Sequence, residues 1–202
     1  MSIVLLIRHA SFDGLARRLV GRSDGVSLNE KGLHEAQLLA SRLALLPVAA
    51  VYSSPRERAR ETAAAIAEPL RLPVHTMVEL DEIDYGQWTG RSFSELRDCE
   101  DWQSFNAHRT TGQIPGGESM CEFAGRVRRA IGNFSEAHWG PCLAAVTHAD
   151  WIRAAGACCT RLTLDDWKSF AVDPASVSAI HLQASGNTVL RWNDTGCFNL
   201  PV

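Results

Sequence analysis

Residues 3 to 9 read Ile3-Val4-Leu5-Leu6-Ile7-Arg8-His9, five aliphatic side chains in a row closed by a cation and an imidazole. An unbroken aliphatic run this short is the pattern of a strand buried on both faces, as in the middle of a parallel sheet. Ligands of open α/β sheets gather beyond the carboxyl ends of such strands, which puts Arg8 and His9 where chemistry is usually done. A second run, Cys142 to Val146, ends in Thr147-His148, so two buried strands share one grammar: aliphatic residues, then a histidine.

Working outward, Ser27 or Asn29 can cap a helix from about Glu30 to Leu46, with Ser27 and Glu30 at capping-box spacing. Ala36, Leu39, Ala40 and Leu43 form its buried stripe and Pro47 ends it. A strand over Val48 to Tyr52 then runs through Ser53-Ser54-Pro55 into a helix capped by Ser54 and stopping before Pro69. Arg58 lies one turn inside it, near unpaired N–H groups that favour an anion. Leu72 to Met77 reads as a third strand, and the β-α-β-α-β order predicts a layered α/β fold.

From Leu80 to Gly117 the sequence turns polar, Trp-containing and Gly-punctuated, with one helix near Ser94 to Phe105; we read it as a small lobe inserted over the strand ends. Ser119 and Glu122 open a helix to about Phe134, and another runs from Asp150 to about Cys159. Ser176 to Leu182 and Thr188 to Trp192, joined by Ser185-Gly186-Asn187, form a terminal hairpin. The expected fold is a three-layer α/β/α sandwich around a mostly parallel mixed sheet. One domain spans residues 1 to 202, with the inserted lobe at about 80 to 117.

Twenty Lys and Arg against 23 Asp and Glu give a net charge of -3, which leaves no global positive field for nucleic acid. No stretch approaches the length of a membrane span. The six cysteines (Cys99, Cys121, Cys142, Cys158, Cys159, Cys197) show no CxxC spacing, and Ile3 to Ile7 is too short for a signal core, so a reduced, cytoplasmic location is expected. Most of the clustered arginines (17, 18 and 22; 56, 58 and 60; 126, 128 and 129) read as solvated faces.

Two strand-terminal histidines with Arg8 and Arg58 suit a dianionic phosphoryl group. A guanidinium fork holds two phosphate oxygens together, and a neutral imidazole nitrogen can attack phosphorus. With this set in view, the chain resembles the histidine phosphatase superfamily, also called phosphoglycerate mutase-like, whose Arg-His-Gly signature stands here as Arg8-His9-Ala10. The resemblance continues in order through Ser53-Ser54-Pro55, Arg58-Ala59, Thr62-Ala63, Glu82, Tyr85 to Gly90, Pro115 to Ser119 and Val146-Thr147-His148.

The resemblance implies that His9 is the nucleophile, that Arg8, Arg58 and His148 hold the transferring phosphoryl group, and that Glu82 is the proton donor to the leaving alcohol. Asp81 and Asp84 compete with Glu82 for that last role. Where family members commonly carry Gly-Glu-Thr after the histidine, this chain has Ala10-Ser11-Phe12, a change that bears on the substrate's organic part and makes the pocket more apolar. Ser11, Arg22 and Ser23 are candidate auxiliary substrate ligands, and Glu118 reads as a carboxylate compensating a helix dipole.

The leading expectation is a metal-independent phosphomonoester hydrolase acting on a small phosphorylated metabolite through a phosphohistidine, without a cofactor. A mutase is the enzymatic runner-up, and a phosphatase for a ribazole phosphate or for protein phosphohistidine stands beside it. A non-catalytic anion-binding regulatory module is the alternative outside enzymes. A metallohydrolase using His9 and His148 is disfavoured, since the sequence has no HxH, HExxH or dense Asp/His cluster. Oligomeric state is left open.

Overall fold

The computed structural model describes residues 2–136, 142–160, 162–183 and 186–196. In chain order they form β1 (Ser2–Arg8), α1 (Glu30–Leu43), β2 (Val48–Ser53), α2 (Glu57–Leu70), β3 (Val74–Thr76), α3 (Phe93–Arg97), α4 (Glu100–Ala107), α5 (Met120–Glu136), β4 (Cys142–Thr147), α6 (Ala149–Cys159), β5 (Val177–Leu182) and β6 (Thr188–Asp194). The sheet order is β3-β2-β4-β1-β5-β6, with the first four strands parallel and β5 and β6 antiparallel. The expected mixed, mostly parallel sheet is therefore present.

The pleat of β1 explains why its run is apolar throughout. Val4 and Leu6 join a cluster with Phe123 and Val127 of α5 and Trp151 and Ile152 of α6, whereas Leu5 and Ile7 join Ala36 and Leu39 of α1 and Ala63 and Ile66 of α2. Strand residues alternate faces, so a strand with a helix layer on each side needs a hydrophobe at every position. β4 repeats the pattern and is buried along its whole length, with Cys142 acting as a core hydrophobe. No helix among the described residues is long and apolar enough to cross a membrane.

Register then brings the chemistry together. Arg8 pairs with Thr147 and Ser53 with Val146, so β1, β4 and β2 end level with one another at their carboxyl edge. Arg8-His9, Thr147-His148 and Ser53-Ser54 therefore leave the sheet side by side.

Several local expectations shift. Asn29, not Ser27, caps α1 by accepting from the Gly32 N–H, and α1 ends at Leu43, four residues before Pro47. The cap of α2 is Arg56 and not Ser54; the Ser54 hydroxyl accepts from the Arg56 N–H at 3.4 Å and meets His148 Nε2 at 2.7 Å. α2 runs through Pro69, which forgoes one N–H bond in the last turn, and closes on Arg71 at φ 53, whose N–H donates to the Ala67 and Glu68 carbonyls. The helix read over Ser94 to Phe105 is two, broken at Asp98-Cys99. Ser119 and Glu122 do make the reciprocal capping box of α5. In the hairpin, Gly186 and Asn187 are described, while Ser185 lies outside the described residues.

Between β3 and α5 the apolar side chains Leu80, Ile83, Trp88, Leu96, Phe105 and Ile114 join the same cluster as α5 and α6. This stretch turns on Gly86, whose φ is +47 and where an added Cβ would stand 2.3 Å from the Pro115 carbonyl oxygen. Gly86→Ala combines left-handed strain with a backbone clash and should cost about 2–4 kcal/mol. Urea unfolding will show it as a lower midpoint at unchanged slope.

Candidate active site

His9 follows β1 directly, its N–H donating to the Thr147 carbonyl at 3.0 Å, and it is buried. Its Nδ1 lies 2.9 Å from the Ala10 carbonyl oxygen, an acceptor that requires a proton on Nδ1 and so leaves Nε2 as the free lone pair. Ala10 is itself fixed, with its N–H donating to the Thr62 hydroxyl, which in turn donates to the Arg58 carbonyl. Burial, then Arg58 and Arg8, push the His9 imidazole well below its ordinary pKa, against the opposing pull of the Ala10 carbonyl. The ring is neutral at physiological pH, as a nucleophile must be.

His148 lies across from it, ring centroids 5.2 Å apart. Arg58 Nη2 stands 3.1 Å from Nδ1, and since a guanidinium only donates, the proton of His148 sits on Nε2 and points to Ser54 Oγ at 2.7 Å. Ser54 approaches Asp81 Oδ1 at 3.4 Å, and Asp81 takes both Nε and Nη2 of Arg56. Burial, then Arg58, His9 and Arg8, also hold His148 well below its usual pKa. Two neutral imidazoles thus face two guanidiniums.

Those guanidiniums carry unused donors. Arg58 is buried and gives Nη2 to Gly21 O at 2.7 Å as well as to His148, yet its Nε and Nη1 are buried with no hydrogen-bond partner. Arg8 gives Nη1 to Val172 O at 2.7 Å, and its Nε is likewise buried and unpartnered. Native proteins rarely leave charged donors in this state unless an acceptor is to arrive. Arg8, His9, Arg58 and Glu82 line one cavity of about 350 Å³.

Glu82 is buried, with Oε1 accepting from the Ile83 N–H at 3.0 Å. Burial first, and the Asp150 carboxylate second, raise it to about 8, so it carries a proton at neutral pH. Of its two rivals, Asp81 is taken up by Arg56, and Asp84 does not line the cavity: it accepts from the Gly86 N–H at 2.9 Å.

Three expected auxiliary ligands lie elsewhere. Ser11 is turned away, its N–H and hydroxyl both donating to Glu35. Arg22 donates to the Glu82 carbonyl at 2.7 Å and to Glu118 at 2.8 Å, and neither it nor Ser23 lines the cavity. Glu118 is accordingly not a dipole compensator: it pairs with Arg22 and Arg126 and ties α5 to the Glu82 segment.

Other residues of the site were not singled out from sequence. Asp150, in the first turn of α6, lines the cavity, and Tyr85 OH and Arg153 both donate to it. Its position two residues after His148 was the only signal. Burial works against its ionisation, but Arg153, then Arg109, outweigh that and hold Asp150 below its ordinary value. Among the described residues no group of three or more His, Cys, Asp or Glu side chains is placed to hold a metal ion.

Comparison with known proteins agrees with this geometry. A profile of the histidine phosphatase superfamily (branch 1) matches residues 4–195. Phosphoserine phosphatase 1 of Hydrogenobacter thermophilus is 32% identical over 197 residues, covering 95% of this chain and 92% of that protein. A metal-independent phosphoserine phosphatase of Arabidopsis thaliana is 31% identical, covering 95% and 81%. The crystal structure of the alpha-ribazole phosphatase from Shigella flexneri superposes with a TM-score of 0.87 at 25% identity, covering 98% of this chain and all of that one (100%).

Proposed function

Since the chain belongs to the histidine phosphatase superfamily, we propose that it hydrolyses phosphomonoesters by two displacements at His9, without a metal ion. The observation that carries this reading is the set of buried, unpartnered guanidinium nitrogens on Arg8 and Arg58 beside a neutral imidazole whose Nε2 is free. Three donor nitrogens and two positive charges match the oxygens of a phosphoryl dianion, and no acceptor among the described residues meets them. The names of the two phosphoserine phosphatases and of the ribazole phosphatase support the same reaction class.

In the first displacement His9 Nε2 attacks phosphorus, an N–P bond forms and the ester P–O bond breaks. Charge that spreads over the non-bridging oxygens is met by Arg8 and Arg58. Protonated Glu82 gives its proton to the departing alkoxide, which leaves as the alcohol. In the second, water attacks phosphorus, the N–P bond breaks back to the neutral imidazole, and the Glu82 carboxylate takes the proton of that water. The dianion also changes the task of His148, whose Nδ1 has no proton in the free site. Binding a double negative charge beside it opposes the Arg58 and Arg8 fields and favours the imidazolium; Nδ1 donates to a phosphoryl oxygen only once Arg58 Nη2, 3.1 Å away in the free site, turns from it to the phosphate.

Hydrolysis of 4-nitrophenyl phosphate in excess chelator, followed by acid-free quench and peptide mapping, tests this directly. The expected result is full activity and a phosphoryl adduct on the peptide carrying His9 that is stable in alkali and lost in acid. Loss of activity on chelation, restored by a divalent cation, would remove the metal-independent mechanism. An adduct on another residue would remove the nucleophile assignment.

A further inference from the structure

The cavity has two unlike sets of lining residues. Arg8, His9, Arg58 and Glu82, with Tyr85, Asp150, Arg153 and the rim residue Arg18, are polar; Phe12, Leu15, Leu19, Val20 and Phe93 supply an apolar wall in the same space. We infer that the alcohol released has an apolar, ring-sized body, so that the substrates are phosphomonoesters of arylalkyl or branched alkyl alcohols. This rests on the phosphatase reading above and adds the identity of the leaving group.

The wall comes from two segments held in a fixed relation. Leu19 N–H donates to Arg91 O at 2.9 Å, Gly90 N–H to Leu19 O at 2.7 Å and Phe93 N–H to Arg17 O at 2.9 Å, which ties the 12–20 loop to the chain entering α3. The loop can double back because Gly14 and Ala16 take φ of 88 and 66. A left-handed alanine at an exposed loop tip is a local cost that the surrounding bonds must hold in place. Phe12 is buried and its ring packs against both His9, at 5.5 Å between centroids, and the Arg58 guanidinium, at 5.6 Å. An apolar surface kept open in this way is pre-organised for an apolar partner.

The polar groups near the wall are already committed to one another. Tyr85 OH donates to Asp150, and Arg153 gives Nη1 to Asp150 at 2.7 Å and Nε to Phe170 O at 2.9 Å. Arg18 stands on the exposed rim, where a charge pair contributes little. A small zwitterionic leaving group such as serine would lose hydration against Leu15, Leu19 and Phe93, and its ammonium and carboxylate would have to compete for Asp150 and Arg153, which already pair with each other. A phenyl or branched alkyl body gains by the same displacement of water. The substrate therefore differs in kind from the one in the names of the two phosphoserine phosphatases.

The test compares kcat/KM for 2-phenylethyl, 3-methylbutyl and ethyl phosphate, whose alcohols are of similar acidity, and for serine phosphate, whose more acidic alcohol is the better leaving group. Wild type should favour the phenylethyl over the ethyl ester by about 10- to 100-fold, the factor expected for burying one aromatic side chain, with serine phosphate no better than ethyl phosphate. Leu15→Asn and Phe93→Ser should each shrink the phenylethyl-to-ethyl ratio several-fold, and competitive inhibition by 2-phenylethylphosphonate should weaken in parallel. Serine phosphate as the preferred ester, a ratio near one, or variants that lower both esters equally would overturn the leaving-group assignment and leave the phosphatase reading standing. If none of the four esters is hydrolysed, the phosphatase reading itself falls.

Discussion

His9→Ala will lower the turnover of every phosphomonoester by about three to six orders of magnitude, as expected when a nucleophile is removed from a unit whose other members act only through it. The affinity for inorganic phosphate should stay within several-fold of wild type, because Arg8 and Arg58 keep the three unpartnered nitrogens that meet the oxygens. His148 cannot take over as nucleophile: one ring nitrogen faces Arg58 at 3.1 Å and the other Ser54 at 2.7 Å. His9 is also small enough a loss for the fold to survive, since the strand that carries it is held by β4 and β5 along its length. Single-turnover kinetics and phosphate titration on the same preparation separate the two effects. Retained binding with lost chemistry is the outcome that divides an enzyme from an anion-binding module. Residual turnover within tenfold of wild type would mean that another group attacks.

The two histidines were legible in the sequence because each ends an unbroken apolar run, and a strand buried on both faces can place a polar side chain only where it leaves the sheet. Arg58 was legible for a related reason, one turn inside a helix that starts at the same edge. The fold class followed from the alternation of strand and helix, and the family from the order of short motifs around these residues. What the chain order hides is the set of partners. Ser54 looked like a helix cap because Ser-Pro before a helix usually is one; its hydroxyl does accept from the Arg56 N–H, at 3.4 Å, but its shorter contact is to an imidazole 94 residues away. Ser11 and Arg22 looked like phosphate ligands because they stand near His9 in sequence, but Glu35 and Glu118 claim them. Neither competition is visible until the sheet register sets which carboxylate lies closer. The apolar wall was only half legible. Phe12 could be read from the departure after Ala10, whereas Phe93 arrives by backbone bonds between two loops with no periodic signal.

Glu82 makes the strongest prediction about pH. With its carboxyl raised to about 8 by burial and by Asp150, it is protonated through the neutral range and ionises only on the basic side. For an alkyl ester, whose alkoxide must be protonated as it leaves, kcat/KM should therefore fall with a basic limb near 8. Glu82→Gln should cost about 10²- to 10⁴-fold on such an ester and far less on 4-nitrophenyl phosphate, whose leaving group needs no proton. Asp150→Asn tests the cause of the shift. Asp150 is ionised, held so by Arg153 and Arg109, and its charge disfavours a second carboxylate beside it. Without that charge the ionised form of Glu82 becomes easier to reach, its pKa falls, and the basic limb moves to lower pH. The variant should then lose activity on the alkyl ester at pH 8 while remaining near wild type at more acidic pH. A limb that stays in place in Asp150→Asn but vanishes in Glu82→Gln would leave burial as the whole cause. A limb unchanged in both would assign the proton to another group.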